Sequence, residues 1–125
     1  MSCELKAIEI NGVEYVRKSD AQPEMAKTDG LIYVIVRCRN AGVHAGYLAV
    51  KTSEDLTLVK SRRLWRWHGR TISGLAVEGT DDPSQCKFGD PLPELILNAN
   101  DWCEIIPCTE KARESLEGVA KWQND

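Results

Sequence analysis

The chain has 125 residues, 42% of them hydrophobic and 28% charged, which suits one globular domain (1–125) with a modest core and excludes the disordered and membrane classes. A formal net charge of −3 and a sequence pI of about 5.4 argue against an extended nucleic-acid binder, which presents a broad basic face. No apolar run approaches the roughly 20 residues that span a bilayer, and the opening MSCELKAIEI lacks a basic segment followed by an apolar block, so a cytoplasmic protein with no membrane contact is expected.

In chain order, KAIEI and VEYVRK alternate on either side of Asn11-Gly12, the strongest short hairpin signal because both residues tolerate positive φ. Residues 19–30, with Pro23 and Gly30, predict a loop. The β-branched run LIYVIVRCR (31–39) predicts a central strand buried on both faces. After NAGVHAG, whose glycines supply a turn or bulge, YLAVK and LTLVK predict a second pair of strands across TSED, and RRLWRW continues as a strand. TISGLAVEG reads as a short helix with Thr71 as N-cap and Gly79 just past its end. DDPSQCKFGDPLP, with three prolines, predicts a long loop. ELILN and WCEIIPC predict two further strands, and Thr109 caps a two-turn helix, EKARESLE, that stops at Gly118. Trp122 is expected to fold back onto the body. The fold class is mainly β (α+β): a small, strongly curved antiparallel sheet or partly open barrel with two short helices, the last at the C-terminus.

Cys3, Cys38, Cys86, Cys103 and Cys108 include no C-x-x-C pair. They are expected to be reduced, buried hydrophobes rather than disulfides or zinc ligands. Neither a cofactor nor a metal is implied, and His44 and His68 are the two histidines, the residue type whose unperturbed pKa lies near neutrality. Neither histidine lies in a hydrolase, kinase or metalloenzyme motif, so no enzymatic activity is expected. The glycines of AGVHAG match neither G-x-G-x-x-G nor a P-loop. His44 reads either as an exposed base or ligand, or as a loop histidine bonded to backbone.

The segment KSRRLWRWHGR (60–70) holds five of the sixteen Lys and Arg residues and no acid. The remainder carries 11 basic against 19 acidic residues, so a body of net charge −8 bears a local +5. A period of two places Arg63, Trp65 and Trp67 on one face and Arg62, Leu64, Arg66 and His68 on the other. One reading is a ligand site, because Arg binds phosphate bidentately and Trp offers a flat face to a base. The other is structural: Trp65 and Trp67 enter the core, where a buried face favours rings, while Arg62 and Arg66 pair with surface acids. Alternation favours the structural reading for the two tryptophans.

The phrases AGVHAGYL, RRLWRW, LAVEG and EIIPCTEKA resemble a family of small, mostly uncharacterised proteins encoded by bacteriophages and prophages. The resemblance implies a bacterial host-cell setting and carries no activity with it. Phages use small proteins to blunt bacterial immunity, so the leading expectation is a non-enzymatic binding protein that sequesters a nucleotide or other small anionic signal. Arg62, Arg63 and Arg66 would meet phosphate, Trp65 or Trp67 would stack, and His44 or His68 would add a hydrogen bond. The alternative is an inhibitor that masks a host defence protein, and a third reading is a nucleic-acid-binding module. Sheet edges that so small a chain covers poorly predict a homodimer.

Overall fold

The computed structural model describes residues 27, 28 and 30–122, and the hairpin expected around Asn11-Gly12 lies outside them. Lys27–Thr28 (β1) and Leu31–Cys38 (β2) pair antiparallel, with Gly30 between them at φ +79°. The loop expected over residues 19–30 therefore ends earlier than thought.

Val43–Lys51 (β3) and Asp55–Arg66 (β4) follow, and then Ile72–Glu78 (α1). LTLVK runs on through Ser61 into RRLWR as one strand. The proline-rich segment is not wholly a loop: it holds a 3-10 turn at Pro83–Gln85 and a two-residue strand, Lys87–Phe88 (β5). Leu92–Asn98 (β6), Trp102–Pro107 (β7) and Glu110–Glu117 (α2) complete the chain order.

The pairings between these strands are all antiparallel, and the long strands lie in the order β7-β2-β3-β4-β6, with β5 beside the end of β4. β6 and β7 lie at opposite edges, yet only Ala99, Asn100 and Asp101 join them, in a turn closed by the Asp101 N–H donating to Asn98 O at 2.9 Å. In a flat sheet those edges would stand roughly 19 Å apart, beyond the ~14 Å that so short a link can reach. The sheet is therefore rolled. No ladder joins β6 to β7, so the roll stays open.

Rolling separates two cores. One contains Tyr33 and Ile35 of β2, Ala45 and Tyr47 of β3, and Leu64 and Phe88, covered by Leu75 and Ala76 of α1 and Ala112 and Leu116 of α2. The other, on the opposite face, gathers Val34, Val36, Cys38, Leu56, Leu58 and Leu97. β2 contributes to both, as a strand buried on two faces must. Both helices begin where the sequence placed them. Thr71 Oγ1 accepts from the Gly74 N–H at 3.1 Å, and Thr109 Oγ1 accepts from the Ala112 N–H at 3.1 Å while donating to Val77 O at 2.6 Å, which ties α2 to the end of α1. Cys38, Cys86 and Cys108 are buried, and burial pushes the Cys108 thiol up to about 12. Among the described residues no helix is long and apolar enough to cross a membrane.

A bulge in β4 decides where the basic strip points. Tyr47 faces Val59 and Ala45 faces Arg62, so Lys60 and Ser61 together oppose Gly46. Lys60 takes φ +53°, a left-handed conformation that L-residues with a Cβ adopt at a cost. Gly46 is required opposite it, because a Cβ there would lie 2.7 Å from Ser61 Cβ and 2.8 Å from Ser61 Cα. The inserted residue reverses the facing of everything after it. Leu56 and Leu58 point into one core, whereas Arg62 and Leu64 point towards the other.

Candidate functional site

The reversal corrects the expectation that both tryptophans of the strip enter the core: Trp67 packs against the first core, and Trp65 does not. Trp65 is 53% exposed, while Arg62 is only 4% exposed and has the buried position instead. Its Nε donates to Gly89 O at 2.9 Å, and its Nη1 donates to Leu116 O at 3.1 Å and Val119 O at 2.6 Å. The guanidinium also stands 5.4 Å from the centre of the Phe88 ring. Carbonyls at the end of α2 are short of donors and carry the negative end of the helix dipole, so a fixed cation suits them. Arg62 thereby joins β4, the segment after β5 and the C-terminal end of α2.

His44 has a comparable duty. It is 1% exposed, and its Nε2 donates to Ala41 O at 2.9 Å. Desolvation, and then the nearby Arg63 cation, hold its pKa below the ordinary imidazole value, although the bond to Ala41 opposes them. The ring is neutral at pH 7 and pins the β2–β3 turn. Asp101 holds the same turn from the other side. Its Oδ1 accepts from the Asn40 N–H at 2.7 Å and its Oδ2 from the Ala41 N–H at 2.9 Å. Gly42 closes the turn at φ +91°, and its carbonyl accepts from the Cys38 N–H at 2.8 Å.

The remaining charged residues of the strip lie outside the core. Arg63 and Arg66 are exposed, and Arg63 is the cross-strand partner of His44. Trp67 is half-buried, and its Nε1 donates to Arg70 O at 2.9 Å. His68 is exposed, with Nδ1 3.0 Å from Asp81 Oδ1, and that hydrogen bond is the main reason the Asp81 carboxyl titrates below its usual value. An open cleft of about 320 Å³ runs between Asn40–Val43 and the strand residues Arg63, Leu64, Trp65 and Trp67. Two phrases well separated in sequence, NAGV and RRLW, form its opposing walls. One wall is pinned by His44 and Asp101, and the other presents a guanidinium and two indoles.

Sequence reasoning placed seven residues in the site. Arg63, Trp65 and Trp67 line the cleft; Arg66 and His68 are exposed beyond it; Arg62 and His44 are buried in the frame behind it. It did not find Lys87 or Trp122. Trp122, 40% exposed, meets Trp65 edge to face at 5.5 Å, with Lys87 Nζ 4.9 Å above its ring. Trp122 does fold back onto the body: its N–H donates to Phe88 O at 2.8 Å. What sequence did not supply is the surface it lands on, since β5 was read as loop. Among the described residues no three His, Cys, Asp or Glu side chains group where they could hold a metal ion.

No curated protein and no solved structure matches the chain. Residues 31–116, which include the cleft and the whole Arg/Trp strip, match the family described as Domain of unknown function (DUF6948). The chain belongs to that family.

Proposed function

We propose that the protein binds a nucleotide or a similar planar anion in the cleft between the β2–β3 turn and β4, and that it holds this ligand without transforming it. The observation that supports this reading best is the joint exposure of Arg63 and Trp65 at the wall of a cleft of about 320 Å³, near the lower end of small-molecule pockets. A base stacks on the Trp65 indole, and phosphate meets Arg63 and Arg66 as forked donors. His68, oriented by Asp81, offers a further donor at the rim. Arg62 and His44 support the site as framework. The setting we propose, a phage-infected bacterial cell in which the protein sequesters a nucleotide immune signal, rests on the resemblance of the quoted phrases to phage proteins.

A second reading, capture of a host defence protein, draws on the same exposed Trp65, Trp122 and Arg63, because Trp and Arg dominate protein-binding hot spots. We also propose a homodimer, since β6 and β7 each pair on one side only among the described residues. Light scattering should then return twice the chain's 14.0 kDa.

Isothermal titration with nucleoside mono- and triphosphates tests the reading directly. We expect heat of binding that rises with phosphate number, disappears in Arg63→Ala, and leaves the nucleotide chemically unchanged. Folded protein that binds none of them would overturn the reading in favour of a protein target, and turnover of a nucleotide would overturn the non-enzymatic role.

A further inference from the structure

The cleft accounts for one side of Trp65. On its other side is a surface to which the reading above assigns nothing. Trp122 and Trp65 are perpendicular neighbours, with ring planes at 71°. Lys87 stands over Trp122 and is the cross-strand partner of Arg66. Lys121, exposed, bridges to Phe88 beside them. Arg63, Arg66, Lys87 and Lys121 bring four basic side chains to this strip and arm, and the one carboxylate near them along β5 is the exposed Asp90, two residues beyond Phe88.

The arm bearing Trp122 is held in place rather than merely resting there. Trp122 N–H bonds to Phe88 O, residue 121 bridges to β5, and Arg62 grips the Leu116 and Val119 carbonyls that lead into it. This gives the burial of Arg62 a purpose beyond packing: one strand carries Arg63 and Trp65 on its outer side and anchors the second aromatic wall from its inner side.

We infer that the site continues past Trp65 onto Trp122 and Lys87, and that its ligand is a short single-stranded oligonucleotide of two or more units. The inference rests on the proposed nucleotide reading and narrows it. A single base can stack on only one of two perpendicular rings, whereas successive bases of one strand can each take a ring. The two aromatic surfaces are accompanied by cations on both sides, Arg63 at the cleft and Arg66 with Lys87 at the arm, as a backbone carrying one charge per nucleotide requires. Alternation of stacking platforms and cations is how proteins hold single strands without reading sequence.

The test is a titration, followed by tryptophan fluorescence, of thymidine monophosphate against thymidine oligomers of two, four and eight units. We expect at least a tenfold gain in affinity from the monomer to the short oligomers, in line with the stacking of one more base. Trp122→Ala should remove that gain. Lys87→Gln keeps both indoles and should lower the slope of log affinity against log salt by about one for the oligomers alone, as loss of one phosphate contact predicts. Binding of oligomers without measurable binding of the monophosphate would support the extended surface and overturn the single-nucleotide reading. Equal affinity for monomer and oligomers, or a gain that survives both substitutions, would overturn the extended site and leave the small-nucleotide reading standing. Failure of every oligomer and of the monophosphate to bind would overturn both.

Discussion

Before Lys60, β4 buries Leu56 and Leu58 in the core it shares with β6; after Lys60, the same strand buries Arg62 and Leu64 on the other face and turns Arg63 and Trp65 to solvent. The first half obeys the expectation that apolar side chains of an alternating strand face inward. The second half inverts it, burying a guanidinium and exposing an indole. Both halves follow one rule, and a single inserted residue separates their outcomes. The difference teaches that a basic, aromatic strand contains two kinds of arginine, one that holds the frame and one that faces the ligand, and that their spacing of one residue is enough to divide them.

Removing the framework arginine should have the largest effect. Arg62→Ala strips a donor from three carbonyls in a buried setting, and we expect a loss of about 3 kcal/mol in urea unfolding. A loss below 0.5 kcal/mol, the scale of an ordinary surface charge, would erase the distinction between the two arginines. Next is the bulge itself. Gly46→Ala forces a Cβ against the Ser61 backbone and should cost about 2 kcal/mol; a neutral result would mean that the strands separate there freely. Replacing Lys60 by Gly relieves its left-handed backbone and should raise stability by up to about 1 kcal/mol in thermal melts. A destabilised variant would show that the lysine side chain contributes more than its conformation costs. The smallest effect on stability is expected at Arg63→Ala, within about 0.5 kcal/mol of the parent, although this variant should lose ligand binding. Arg62→Ala and Arg63→Ala, one residue apart, then separate folding from binding.

Much of the frame was legible. The helix caps at Thr71 and Thr109 and the glycine stop at Gly79 are local signals: each depends on residues within one turn, and sequence displays such residues side by side. The rolled sheet was legible for a similar reason, since the strand runs alternate or stay apolar throughout. The bulge was not. A left-handed bulge residue is usually Gly, and here it is Lys60, so nothing near RRLWRW announced that its facing would reverse. Lys87–Phe88 was hidden between prolines because a two-residue strand has no periodicity to detect. The cleft was half legible: both phrases that wall it stood out, but only the β3–β4 register, with His44 opposite Arg63, brings them together. Trp122 was expected to fold back, yet its pairing with Trp65 depends on β5 and on the carbonyls gripped by Arg62, contacts that no local pattern encodes.

The strand order has a consequence for the birth of the molecule. β2 cannot gain its β7 neighbour until residues 102–107 have been made, and the Arg62 guanidinium has no carbonyl from α2 to bind until residues 116–119 follow. At about 5–20 residues per second, making residues 67–119 takes seconds, and through that interval the chain lacks β7 or the carbonyls that hold Arg62. Contacts so distant in sequence also slow folding after release. Competence to hold a ligand between both walls should therefore arrive last, when the C-terminal arm has docked, so that ribosome-bound intermediates are unable to occupy the full site.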